Sequence, residues 1–293
     1  MRMCHTLEFN LYMIETWTVG ETKITKIEEL VESVDGSTIV TQASLEKVKR
    51  HDWLFPHYAD AEGNLLFSIH AFIIEHNGLI IVVDTCLGKG KLSSVPRWSE
   101  ITTSFFEDFK SAGFDALNVD FVLCTHLHED HVGWNTIRKG ERWEPTFPNA
   151  KYLFSEVEWN HWSESEYSEC ILKASIEPLV QNDLKYLITP PYQLTNGLTL
   201  VPTPGHTPGH ISIEIVSMNE KAVITGDVMH SPVQCCEPKW EGASDVDPKM
   251  ATDTRLEFLK RYESEGALIL GTHFPTPSAG KIKRYGNAWR FSP

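Results

Sequence analysis

The sequence predicts a layered α/β protein, and two observations carry that prediction. Short apolar runs rich in β-branched residues alternate with longer amphipathic segments in both halves of the chain, and no repeat period or low-complexity tract interrupts them. The strand-like runs are FSIHAFIIEHNGLIIVVDT (67–85), VDFVLCT (119–125), KYLF (151–154), LTLVPT (198–203), ISIEIV (211–216), KAVITGD (221–227) and ALILGTH (267–273). The first contains Asn77-Gly78 between two apolar stretches, a dipeptide that supplies the positive φ angles of a tight hairpin. SEITTSFFEDFKSAG (99–113) places Ile101, Phe105, Phe106 and Phe109 near helical spacing and stops at Gly113. ATDTRLEFLKRYESEG (251–266) does the same with Leu256, Leu259 and Tyr262 and stops at Gly266. Residues 155–188 are acidic and read as a helical insert broken at Pro178, and residues 1–66 as an N-terminal extension or lid, all within one domain spanning 1–293.

Bulk properties narrow the function classes. With 293 residues, 41% hydrophobic and 23% charged, the chain is long enough to bury a sizeable core and has an ordinary globular composition. No run approaches the roughly 18 apolar residues of a membrane span, so no membrane partner is expected. A net charge of −14 opposes binding to a phosphate backbone, so no nucleic-acid partner is expected either. Glu8 and Glu15 interrupt the place where a secretory apolar region would lie, which predicts a cytoplasmic protein. The six cysteines (Cys4, Cys86, Cys124, Cys170, Cys235 and Cys236) form no CxxC pair, which suits a reducing compartment and argues against a cysteine-ligated zinc site.

The chemistry concentrates in 126-HLHEDH-131, directly after the predicted strand VDFVLCT. His126 and His128 lie two apart and project to one side of an extended chain, and Asp130 and His131 follow as the chain turns. Further ligand-type residues fall at comparable strand ends: His206 in 202-PTPGHTPGH-210, Asp227 at the end of KAVITGD and His273 at the end of ALILGTH. Neutral imidazole and carboxylate suit zinc and similar divalent ions. Seven candidates exceed the needs of one tetrahedral ion and match two ions if one carboxylate bridges them.

THLHEDH, TPGHTPGH, GD and GTH, in this order, resemble the metallo-β-lactamase superfamily over about residues 67–275. The resemblance implies a four-layer αββα sandwich with a metal site at one edge of two sheets. It further implies that His126, His128 and His206 hold one divalent metal, that Asp130, His131 and His273 hold the other, and that Asp227 bridges them, with zinc expected and manganese or iron as alternatives. His210 competes with His206, and the family pattern favours His206. The family's VDTG reads 82-VVDTC-86 here, with Cys86 at the glycine and Asp84 retained. Within the superfamily the chain is most similar to the dinuclear hydrolases of the lactonase and methyl-parathion-hydrolase type. The resemblance therefore implies a hydrolase of carboxylic esters, lactones preferred, acting through a metal-bridging hydroxide with Asp130 and Asp227 as catalytic residues. The alternatives are an organophosphate hydrolase and, in another class, a metal-bound sensor or scaffold without turnover.

For the substrate pocket, aromatic residues in polar surroundings are the candidates. The loop 51-HDWLFPHYAD-60 bunches Trp53, Phe55 and His57 and reads as a lid over the metals, a homodimer contact or a hydrophobic anchor. Trp134, Trp143, Trp159 and Trp162 pose the same choice. His230, three residues after Asp227, is expected in the pocket wall, and Glu129 is expected to turn away from the metals.

Overall fold

A computed structural model describes residues 14–165 and 172–293. The strands are β1 Thr16–Val19, β2 Thr22–Val34, β3 Leu65–His76, β4 Leu79–Val83, β5 Phe121–Leu123, β6 Thr136–Lys139, β7 Arg142–Pro145, β8 Lys151–Ser155, β9 Lys185–Ile188, β10 Tyr192–Thr195, β11 Leu198–Pro202, β12 Ile211–Ser217, β13 Glu220–Ile224, β14 Leu268–Leu270, β15 Ala279–Tyr285 and β16 Ala288–Ser292. They form two seven-stranded sheets, ordered β1-β2-β3-β4-β5-β8-β9 and β10-β11-β12-β13-β14-β15-β16, and a small β6-β7 ribbon.

Side-chain alternation sorts the chain into layers. On the inner faces, Phe72, Ile74, Ile81, Val83 and Leu123 of the first sheet meet Leu200, Ile213, Ile224 and Leu270 of the second. The residues between them point outward: Ile73, Val82 and Val122 pack with Phe105 and Phe109, and Val223 and Ile269 pack with Phe258, Leu259 and Tyr262. Central strands buried on both faces therefore read as continuous apolar runs. Each such Ile, Leu or Val contributes about 1.5–3 kcal/mol relative to exposure. The expected αββα sandwich is the architecture observed.

The hairpin at Asn77-Gly78 forms with both residues at positive φ, 52° and 78°. The helix expected at 99–113 is shorter, Phe105–Ser111, because Pro96 starts a separate 3-10 turn over Pro96–Glu100. The second helix begins earlier than its apolar spacing suggested, at Pro248, where Asp247 caps the Met250 N–H at 2.9 Å. It ends at Gly266 in the left-handed conformation. In the expected helical insert, Pro178 lies in the first turn of helix Glu177–Gln181, and Lys185–Ile188 is a strand; residues 166–171 of that insert lie outside the described residues. The N-terminal region supplies two strands to the first sheet, β2 pairing along β3 with a bulge between Glu28 and Leu30. No helix among the described residues is long and apolar enough to cross a membrane.

β4 and β5 run parallel in one sheet and β13 and β14 run parallel in the other. Chain segments leaving the carboxyl ends of parallel strands converge where ligands commonly bind, and the candidate ligands leave from the ends of β5, β13 and β14 and from the β11–β12 connection.

Candidate metal centre

All seven ligand-type residues named from the sequence come together. The Nε2 atoms of His126 and His206 lie 3.2 Å apart, and His128 Nδ1 is 3.0 Å from each. On the other side His131 Nε2 is 3.3 Å from His273 Nε2 and 3.6 Å from Asp130 Oδ1, and His273 Nε2 is 3.7 Å from Asp130 Oδ2. Asp227 stands between the groups. Its Oδ2 faces His206 at 3.4 Å and His126 at 3.8 Å, its Oδ1 faces His131 at 3.5 Å, and His273 Nε2 lies within reach of both, 3.1 Å from Oδ1 and 3.2 Å from Oδ2.

Hydrogen bonds behind the rings fix which nitrogen is free. Thr125 Oγ1 gives its proton to Asp84 Oδ2 at 2.9 Å, so it accepts from His126 Nδ1 at 3.1 Å and leaves His126 Nε2 bare. His206 Nδ1 donates to Asp245 Oδ1 at 2.9 Å, His131 Nδ1 faces Asp84 Oδ2 at 3.0 Å, and His273 Nδ1 donates to the Ser68 carbonyl at 2.8 Å. Bare nitrogen lone pairs at about 3 Å repel one another unless a cation lies between them, and the buried Asp227 Oδ1 has no hydrogen bond among the described residues. The donor set fits divalent cations, and three of the groups able to hold one are His126/His128/His206, His126/His131/Asp227 and Asp130/His131/His273.

The electrostatics differ across the cluster. Burial holds His126 and His206 well below the ordinary imidazole range and His128 at about 4, so these three are neutral at pH 7. At His131 burial acts in the same direction, but Asp227, Asp130 and Asp84 outweigh it and raise the ring well above its usual value. Asp227 is itself held far below the carboxylate range, because His273, His131 and His126 overcome the cost of its burial.

Local sequence explains the placement. Asp84 (φ 56°) and Cys86 (φ 51°) both adopt the left-handed conformation, so Cys86 makes the turn that glycine makes in the family motif. Asp84 then accepts the Thr125 N–H at 2.8 Å and joins the β4 and β5 ends. His210 does not join His126 and His128; its Nε2 accepts the Asp227 N–H at 2.8 Å while Nδ1 donates to the Thr203 carbonyl at 3.0 Å. Gly226 makes that contact possible, since its φ is 54° and a Cβ there would sit 2.4 Å from His210 Nε2.

Beside the cluster lies a cavity of about 210 Å³ lined by Thr38, Ile39, Phe67, Ser94, Val95 and Trp98 with His128, Glu129, Asp130, Asp227, His230 and Ser244. His230 is thus placed in the wall, its Nε2 3.3 Å from Asp227 Oδ2 and neither ring nitrogen hydrogen-bonded among the described residues. The other aromatic candidates are placed elsewhere. Trp53 packs over Tyr58 on the outer layer of the second sheet, with Arg290 above its ring, while Phe55 and His57 are exposed there, because residues 52–59 cover the helix-side core rather than the sheet edge. Trp134 is buried against Phe105 and Phe106 and donates to Glu29 Oε1 at 2.6 Å. Lys91 lies over Trp143 and Lys185 over Trp159, and Trp162 meets His128 edge-on at 5.3 Å. Glu129 turns to the Ser94 N–H.

Several contributors carried no sequence signal. Asp245 sits in 241-EGASDVDP-248, one acid among several, and is held by the Gly242 N–H at 2.8 Å beside the buried Arg255. Ile39, Phe67, Val95 and Trp98 reach the cavity from three separate segments, which no local pattern announces.

A two-sheet sandwich whose parallel strand ends gather histidines and aspartates defines a class of metal-binding folds. Residues 65–273 match the metallo-beta-lactamase superfamily, and the chain belongs to that superfamily. An N-acyl homoserine lactonase of Bacillus cereus is 31% identical over 169 residues, 52% of this chain and 60% of the relative. The chain spans 36–62% of the length of the first curated relatives it matches. Among solved structures, the hydrolase AbOPH of the beta lactamase superfamily is 26% identical with a TM-score of 0.79, covering 96% of this chain and 97% of that one. AidC, a dizinc quorum-quenching lactonase, shares the fold at 22% identity and a TM-score of 0.78, over 96% and 97% of the two chains.

Proposed function

We propose that the protein is a dinuclear metal-dependent hydrolase of carboxylic esters, with lactones preferred. The observation that carries this reading is the place of Asp227 between the two groups, Oδ2 toward His126 and His206, Oδ1 toward His131, and His273 within reach of both oxygens. The likeness to a lactonase and to a superfamily hydrolase supports it. Two divalent cations, zinc for preference, would lower the pKa of a water toward neutrality and polarise the scissile carbonyl.

The chain's own residues do the remainder. His126, His128 and His206 would hold one ion, Asp130, His131 and His273 the other, with Asp227 shared. His210, by accepting the Asp227 N–H, holds the backbone from which the shared carboxylate projects. Asp130 lines the cavity and takes the proton of the attacking water to the leaving alkoxide, so that the carbonyl carbon gains one oxygen, loses the other, and the products are a carboxylate and an alcohol. His230 faces the same space with unpaired ring nitrogens and orients the substrate's polar end. Phe67, Val95 and Trp98 exclude water, and a neighbouring groove of about 640 Å³ continues from them, with Val34 and Ile39 on its apolar side and Glu32, Asp35 and Arg97 on its charged side.

A rate panel tests the substrate class: an acyl-homoserine lactone, an aryl ester, methyl parathion and a β-lactam. Turnover of the lactone and the ester is expected. Turnover of the phosphotriester alone would move the assignment to organophosphate hydrolysis, and failure on both lactone and ester would sink the carboxylic-ester assignment.

A further inference from the structure

The helix Glu156–Ser163 lies within the segment that the sequence presents as an acidic insert, yet one of its acids is buried. Glu158 accepts the Leu127 N–H at 3.0 Å and the Trp162 indole N–H at 2.6 Å through Oε1, and the Gly209 N–H at 3.0 Å through Oε2. Leu127 lies between His126 and His128, and Gly209 lies between His206 and His210. A single carboxylate therefore spans the two chain segments that supply the three-histidine group. A second contact repeats the juxtaposition independently: a Cβ on Gly209 would fall 2.1 Å from the Glu158 backbone nitrogen, so the 203–210 loop rests directly on this helix. Trp162, one turn on, places its ring edge against His128.

A buried carboxylate is costly unless hydrogen-bond donors replace its water, and here three N–H groups do so. None of them belongs to the Asp130, His131 and His273 group, which rests on the Ser68 carbonyl and on Asp84, the latter reaching His126 as well through Thr125. We infer that Glu158 is a positioning residue that sets the spacing of His126, His128 and His206, so that its loss weakens one metal position and spares the other. This inference rests on the two-ion reading of the centre.

The test uses the full chain stripped of metal and titrated with zinc against a chromophoric chelator. Wild type is compared with Glu158→Gln, which keeps the size of the side chain but turns an amide N–H toward one of the three donors. One equivalent is expected to bind about 10–100-fold more weakly, the scale for groups that orient metal ligands, while the other stays within about threefold of wild type. Asp84→Asn, which acts on His131 directly and on His126 through Thr125, is expected to weaken both positions, in contrast to Glu158→Gln. Anomalous diffraction at limiting zinc is expected to show the Glu158→Gln peak lost among the three histidines and kept beside His131 and His273. Where Glu158→Gln does not fold, Gly209→Ala displaces the same loop from the other side and is expected to give the same selective loss. Unchanged affinity for both equivalents, or an equal fall in both, overturns the inference. If wild type binds a single equivalent, the two-ion reading fails by itself, and the role of Glu158 then stands only if that ion lies among the three histidines and is weakened by the substitution.

Discussion

His126, His128 and His206 meet as three neutral imidazoles, whereas Asp130, His131 and His273 meet beside carboxylates that raise the His131 ring well above its usual range. The first group is braced from outside the sheets, by Glu158 on one helix and by Asp245 on the loop before another. The second is braced from within them, by Asp84 at the end of β4 and by the Ser68 carbonyl of β3, and Asp84 also reaches His126 of the first group through Thr125. The difference teaches that the two halves answer to different parts of the chain. One draws on loops and an exterior helix as well as on Asp84, and the other on the central strands.

Asp227 belongs to both halves, so Asp227→Ala is expected to have the largest effect. It should lose metal from both positions and lower kcat/KM by at least about 10²–10³-fold, the scale seen when one charge-stabilising group leaves an active site. Retention of both equivalents by Asp227→Ala would contradict its bridging role. Next come the bracing carboxylates. Asp245→Asn should lower metal affinity about 10–100-fold at the His206 position, whereas Asp84→Asn should weaken the His131 position by a similar factor and the His126 position as well, through Thr125. Identical occupancy patterns in the two variants would remove the distinction between the halves. His230→Ala should keep full metal content, because the ring is aimed at the cavity, while kcat/KM falls about tenfold; loss of metal comparable to that of Asp227→Ala would make His230 a ligand.

A pH experiment probes the brace of the first sheet. Burial raises Glu29 to about 7, despite N–H donation from Leu87 and Trp134, so the folded state binds a proton that the unfolded chain releases near 4.5. Stability from this group is complete below pH 4.5 and is lost as pH rises toward 7, by up to about 3 kcal/mol. Glu29→Gln should flatten that part of a denaturation-versus-pH curve, and an unchanged slope would show that Glu29 does not titrate there. The smallest effect is expected at Phe55, which is 57% exposed on the outer layer. Phe55→Ala should leave kcat/KM within about twofold, whereas a tenfold loss would return that loop to the substrate path.

The inner strands were legible because both of their faces are buried, and the continuous apolar runs at 67–85 and 267–273 mark β3, β4 and β14 directly. β2 was not legible, because TKITKIEELVESV carries charges at odd and even positions alike, the buried Lys26 among them, and a bulge at Glu28 to Leu30 breaks its alternation. β15 and β16 were hidden in a segment that reads as a polar tail, KIKRYGNAWRF, whose burial falls on alternate residues such as Ile282, Trp289 and Phe291. The seven metal-type residues were legible because their identities are specialised and their order is fixed along the chain. Glu158, Asp245 and Trp98 were not, since an acid or an aromatic ring becomes informative only when the fold places it against a histidine or a cavity.

Metal stoichiometry tests the central claim most directly. Protein purified with zinc supplied and freed of loosely bound ions should carry about two equivalents per chain by elemental analysis, falling below one in Asp227→Ala. A wild-type content that stays near one equivalent, with full esterase activity, would contradict the two-halved centre.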